Sequence, residues 1–222
     1  MNNITISPSL LSANFYNLSE EIQELNDIFK DRKNLWLHLD IMDGHFVPNL
    51  TFGTPVLKKI SNQCEMPLDA HFMVTNPKDY INWFKDLNIH NFTFHIETTD
   101  DPISLAKEIK NFYPSVGISV KPNTSLNFLN EELIKKIDLL LIMTVEPGFG
   151  GQGFIESTLE KISKAYELKK RFNPNLVIQV DGGINDQTSR KVISAGANNL
   201  VSGSYFFKTD SDMSQKYSSL IN

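Results

Sequence analysis

Four residues of metal-ligand type stand near the ends of three strand-like segments: His38 and Asp40 in residues 35–40, His71 in 68–74 and Asp181 in 177–181. Side chains alternate sides along a strand, so His38 and Asp40 share one face, as do Asp69, His71 and Met73, and as do Gln179 and Asp181. If the three strands are neighbours, the four residues can converge on one divalent ion. Two imidazoles and two carboxylates suit Zn²⁺, Fe²⁺, Mn²⁺ or Co²⁺ without choosing among them, and leave positions open for substrate oxygens. The carboxylates can also move protons, which makes the outline catalytic. Singly, each residue has an ordinary alternative, since a strand histidine is often a hydrogen-bonded core residue and a terminal aspartate often caps a helix. The set, with its common placement at strand ends, is what points to chemistry.

A second constellation is rich in glycine: Glu146-Pro147-Gly148-Phe149-Gly150-Gly151-Gln152, then Asp181-Gly182-Gly183, then Val201-Ser202-Gly203-Ser204. Glycine lets backbone N–H groups approach a phosphate closely, and three such turns in succession suit an anion held by backbone dipoles. Met42, Met73 and Met143 stand near three strand ends, where they are either core filler or the dry wall of a pocket. His45, His90, His95 and Lys121 have no comparable partners in the sequence and are expected to be structural or peripheral.

To position these groups the chain needs strands that end together. Short β-like runs recur at residues 4–7, 35–40, 68–74, 92–97, 116–120, 137–145, 177–181 and 200–202, separated by segments of helical period. One such helix follows Asn17, an expected cap with Glu20 three residues on. Eight strands alternating with helices in 222 residues predict an α/β fold, a closed (β/α)₈ barrel, spanning residues 1–222 as one domain. In that barrel, functional groups sit at the C-terminal strand ends, and the loops after the seventh and eighth strands form the usual phosphate cradle. The longest connection, from Asp43 to about Thr54, carries apolar Phe46, Val47, Leu50 and Phe52, and is expected to cover the site, make a subunit contact, or both.

Composition sets limits. Hydrophobic residues at 41% and charged residues at 21% are those of an ordinary globular protein, and the formal net charge of −5 argues against broad nucleic-acid binding. No apolar run is long enough to span a bilayer, the first residues carry no basic leader, and the single cysteine, Cys64, allows no internal disulfide. A cytoplasmic protein is expected, with no membrane or nucleic-acid partner and a homo-oligomeric state.

At these residues the chain resembles the ribulose-phosphate 3-epimerase family. The matching segments are Ser7-Pro8-Ser9-Leu10-Leu11, the long run His38-Leu39-Asp40-Ile41-Met42-Asp43-Gly44-His45-Phe46-Val47-Pro48-Asn49, His71-Phe72-Met73-Val74, the run from Met143 to Gln152, Val180-Asp181-Gly182-Gly183-Ile184, and Val201-Ser202-Gly203-Ser204. The resemblance implies a TIM barrel of the ribulose-phosphate-binding type with one divalent metal ion held by His38, Asp40, His71 and Asp181. It implies Asp40 and Asp181 as the acid/base pair. Ser9, His71, Gly148, Phe149, Gly150, Gly151, Asp181, Gly182, Gly183, Gly203 and Ser204 would contact substrate, and Met42, Met73 and Met143 would line the pocket. The implied reaction inverts C3 between D-ribulose 5-phosphate and D-xylulose 5-phosphate, in pentose phosphate metabolism, through an enediolate stabilised by the ion. The alternatives are a 3-epimerase of a ketohexose 6-phosphate such as D-allulose 6-phosphate and, in another class, a non-catalytic phosphosugar-binding barrel, which has no need for two opposed acids. An orotidine-phosphate-decarboxylase-like barrel is disfavoured because the second strand offers no Asp-x-Lys pair.

Overall fold

Parallel strands bury both faces, so their outward side chains form an unbroken apolar shell while the inward ones fill the barrel. In the computed structural model, which describes residues 4–207 and 212–221, this produces one eight-stranded parallel sheet. The strands are β1 Thr5–Pro8, β2 Leu37–Met42, β3 Leu68–Met73, β4 Ile89–His95, β5 Ser115–Val120, β6 Leu139–Met143, β7 Val177–Asp181 and β8 Asn199–Ser202. Pairing runs β1-β8-β7-β6-β5-β4-β3-β2, and the bridges Ile6 to Leu35 and Ser9 to His38 bring β1 back against β2. The result is the (β/α)₈ barrel expected from the alternation.

The helices are α1 Leu18–Asp31, α2 Thr54–Gln63, α3 Pro77–Phe84, α4 Pro102–Ile109, α5 Glu131–Ile134, α6 Thr158–Phe172, α7 Thr188–Ala195, α8 Ser204–Phe207 and α9 Met213–Ile221. Their apolar stripes pack on outward strand residues such as Leu39, Phe72, Phe92, Ile118, Ile142, Val180 and Leu200, all of them buried. Proline sits in the first turn of α2, α3 and α4, where its missing N–H costs nothing. The start of α1 departs from the expected capping box. The Asn17 side chain makes no cap bond, and Glu21 reaches back instead to accept the Asn14 N–H at 3.2 Å.

The barrel interior is unusually polar. Asp69, buried at the floor, accepts from Asn91 at 2.7 Å and from Gln179 at 2.5 Å, and Gln179 donates also to Asn199, which accepts from Ser7. Ser115 donates to Asn91, which in turn donates to Thr93. A buried polar group is tolerated when its partners are present, and this layer binds β1, β3, β4, β5, β7 and β8 below the catalytic rim.

Candidate metal and substrate site

The register between β2 and β3 sets Asp40 opposite His71 and His38 opposite Asp69, so the two strands project their ligand-type residues into the barrel at successive levels. Asp181 arrives from β7. At the top of the barrel His38 Nε2 lies 3.5 Å from Asp40 Oδ1 and 3.7 Å from Asp181 Oδ2, and His71 Nδ1 lies at the same two distances from the same oxygens. One atom from each residue falls within 4.8 Å of every other. Donors about 2.0–2.2 Å from a common ion stand about 3.3–3.6 Å apart in a tetrahedron, and the four separations of 3.5 and 3.7 Å lie at or just beyond the upper end of that range, close enough for a single divalent cation to draw the donors together.

The unpaired atoms support that fit. His38 Nε2 and His71 Nδ1 are buried nitrogens with no hydrogen-bond partner among the described residues, and both face the two carboxylates. Their opposite nitrogens are engaged: His38 Nδ1 meets Asp69 Oδ2 at 2.8 Å, and His71 Nε2 meets His95 Nε2 at 2.9 Å. The charges agree. Burial alone lowers the proton affinity of His38 and His71, yet the surrounding carboxylates outweigh it and raise both, well above the ordinary value for His38. Burial likewise favours neutral Asp40 and Asp69, but the imidazoles and hydrogen bonds hold both below the usual carboxylate range. Two carboxylates drawing positive charge into a buried cage create the electrostatic setting that a divalent ion satisfies.

Above the cage opens a cleft, the concave setting in which small-molecule sites form. Ser9, Asp40, Asp181, the three methionines Met42, Met73 and Met143, and the glycine turns 148–151, 182–183 and 203–204 line it, with Phe149 half exposed at its mouth. His38 and His71 lie behind this lining, fully buried, and reach it through the cage alone. Ser9 donates to Asp40 Oδ2 at 2.6 Å, leaving Oδ1 turned to the imidazoles. Gly183 has φ +66°, and a Cβ there would stand 2.7 Å from the Phe154 nitrogen, so both the left-handed backbone and the close approach require glycine. The apolar loop after β2 divides its side chains. Phe46 and Val47 pack inward beside Met42 and Met73, Asn49 Nδ2 donates to the Gly148 carbonyl at 2.8 Å, and Leu50 turns outward to solvent.

The sequence leaves His95 structural or peripheral, and of the two the structure supports the first. His95 is fully buried against His71, its other nitrogen 3.1 Å from Glu97 Oε2. To Asp69 and Glu97 the sequence assigns no role. A signal existed: Asn91, Thr93 and His95 alternate with Phe92 and Phe94, which sets His95 on the inward face of β4. His45 is exposed and held by Asp43, and His90 is half-buried edge-on to Trp36, so both lie away from the cage as expected.

Residues 5–207 match the model of the Ribulose-phosphate 3 epimerase family. Over about 205 residues the chain is 43% identical to a ribulose-phosphate 3-epimerase, cytoplasmic isoform, of Oryza sativa subsp. japonica, covering 91% of this chain and 86% of that one. It is 40% identical to the ribulose-phosphate 3-epimerase of Helicobacter pylori, covering 92% and 91%. Among solved structures it is similar to a mutant tryptophan synthase α-subunit from Pyrococcus furiosus, with TM-score 0.62, 12% identity and coverage of 100% and 99%. It is also similar to an orotidine 5′-phosphate decarboxylase from Pyrococcus horikoshii, with TM-score 0.62, 10% identity and coverage of 97% of each chain. At such identities these two structures speak for the barrel alone. Family match and relatives together place this chain, an enzyme of the carbohydrate isomerase class, in the ribulose-phosphate 3-epimerase family.

Proposed function

We propose that the chain interconverts D-ribulose 5-phosphate and D-xylulose 5-phosphate by inverting C3, with Asp40 and Asp181 transferring the protons and His38, Asp40, His71 and Asp181 holding one divalent ion, Zn, Fe(II), Mn or Co. The observation that carries this reading is the pair of partnerless imidazole nitrogens aimed at two carboxylates at the floor of the cleft. When bound, the ion supplies Lewis-acid stabilisation of the negative charge that develops on the oxygens flanking C3.

Within the ring, β2 and β7 are separated by β1 and β8 on one side and by β3 to β6 on the other, so Asp40 and Asp181 approach the cleft from different directions. A sugar lying between them presents opposite faces of C3 to the two carboxylates. One removes the C3 proton, the other returns a proton from the far side, and the roles exchange with the direction of reaction. Ser9 steadies Asp40 through its hydrogen bond and contacts the substrate, while Met42, Met73 and Met143 keep water from the reacting carbons. Gly148, Phe149, Gly150, Gly151, Gly182, Gly183, Gly203 and Ser204 surround the end of the cleft where backbone N–H groups receive the phosphate, so an acidic chain can bind an anion locally.

The test is a coupled epimerase assay on protein of measured metal content, comparing ribulose 5-phosphate with allulose 6-phosphate. Turnover of the five-carbon sugar, lost on removal of divalent ions and recovered on adding one back, is expected. A higher kcat/KM for allulose 6-phosphate would transfer the assignment to the hexose, and full activity in verified metal-free protein would remove the ion's role.

A further inference from the structure

His38 and His71 face the cage with different nitrogens, Nε2 and Nδ1, and the atoms behind them differ as well. Behind His38 stands a carboxylate, Asp69. Behind His71 stands another imidazole, and only behind that a carboxylate. The hydrogen-bond roles along this second path are fixed by counting protons. If His71 Nδ1 presents its lone pair to an ion, its single proton is on Nε2 and is donated across 2.9 Å to His95 Nε2. His95 must then accept at Nε2, so its own proton is on Nδ1, which faces Glu97 Oε2 at 3.1 Å.

The far end of the path is anchored. Glu97 Oε1 accepts from the Lys121 N–H at 2.9 Å and from the Thr124 hydroxyl at 2.6 Å. That turn is clasped in its place by Lys161 of α6, whose Nζ donates to the carbonyls of Lys121, Pro122 and Thr124. The middle is sealed: Phe46 lies with its ring centroid 4.7 Å from that of His95, the Lys121 ammonium sits over the Phe46 ring, 4.1 Å from its centroid, and His95 is fully buried. A buried imidazole stacked against His71 and bonded at both nitrogens has no freedom to turn.

We propose that Glu97 and His95 form a positioning relay which holds His71 in the tautomer and orientation that turn Nδ1 toward the cage, the counterpart on β3 and β4 of the direct Asp69–His38 contact. Neither residue touches substrate or the ion. Partners of this kind govern how well a metal-ligating histidine is presented, and their loss typically weakens metal affinity about 10–100-fold.

This inference rests on reading the cage as a metal site, and the experiment separates the two. Zinc affinity is measured by chelator competition for the unaltered protein, for Asp181→Asn as a cage control, and for Glu97→Ala, His95→Phe and His95→Gln. Histidine tautomers are read by ¹⁵N NMR on the zinc-loaded protein. Expected are His95 protonated at Nδ1 and bare at Nε2, zinc affinity lowered about 10–100-fold in His95→Phe and Glu97→Ala, and a smaller loss in His95→Gln, whose amide can accept from His71 and donate to Glu97. A His95 protonated at Nε2 in the zinc-loaded protein would overturn the relay, even if His95→Phe does not fold. So would folded His95→Phe that binds zinc as tightly as the unaltered protein. Failure of the unaltered protein to bind zinc, or binding indifferent to Asp181→Asn, overturns the cage itself.

Discussion

The two aspartates carry the largest consequences at the scale of single residues. On the proposed mechanism Asp40→Asn and Asp181→Asn each remove a proton-transfer group and a donor to the cage, so each is expected to lower kcat by about 10²–10⁴-fold or more. Near-normal turnover in either would end the two-acid account. In the proposed mechanism the acids address opposite faces of C3, so turnover in D₂O should place solvent deuterium at C3 of the product, provided the abstracting carboxylate exchanges with water between turnovers. Direct return of the substrate's own hydrogen to the inverted product would indicate a single mobile base. Glu97 makes a different prediction. Burial pushes its carboxyl up, but hydrogen bonds from His95, Thr124 and the Lys121 N–H outweigh this and bring it down to about 2, from an ordinary 4.5. Burial brings its partner His95 down to about 4. A folded-state value below the unfolded one means the Glu97 contribution to stability is complete above about pH 4.5 and is lost as pH falls through about 2. Urea unfolding of metal-free protein should therefore show a gap between the native chain and Glu97→Gln that narrows over that window, and a gap independent of pH would contradict the assignment.

Strands β4 and β5 show how an element constrains residues that do no chemistry. Gly117 faces inward where a Cβ would stand 2.2 Å from Thr93 Oγ1 and 3.0 Å from Leu139 Cδ2, and Thr93 is itself held by Asn91. Gly117→Ala should cost about 1–3 kcal/mol or more through overpacking of the floor, seen as a lowered urea midpoint; an unchanged midpoint would mean the floor can yield. The strands were legible because period-two alternation and runs of Val, Ile, Leu and Phe mark them locally. Their ends were less so: β4 runs from Ile89 to His95 rather than over 92–97, since pairing with β3 and β5 and not local composition sets where a strand begins. That shift put His95 at the end of the strand, beside His71, instead of in its middle.

For the whole molecule, the outward side of the β2 loop, the first turn of α2 and the segment before α1 leave Phe15, Tyr16, Leu50 and Val56 exposed, with Phe15 tilted against Phe52 at 5.3 Å. The homo-oligomer expected from the sequence is proposed to use this face, and light scattering should report a smaller mass for Phe15→Lys combined with Leu50→Lys; a native chain monomeric at all concentrations would dismiss it. The sequence by itself determined the alternation of strands and helices, the placement of His38, Asp40, His71 and Asp181 on strands, and the glycine turns, because each follows from residue type and short-range period; the expected strand-end position holds for Asp181, whereas β2 and β3 run on to Met42 and Met73, which leaves His38, Asp40 and His71 within their strands. Only the tertiary structure decided which nitrogen of each histidine meets the carboxylates, how the loop after β2 splits between Val47 inside and Leu50 outside, and that His95 and Glu97 stand behind His71. Those facts depend on the register and closure of the barrel, which bring together side chains that no local pattern relates.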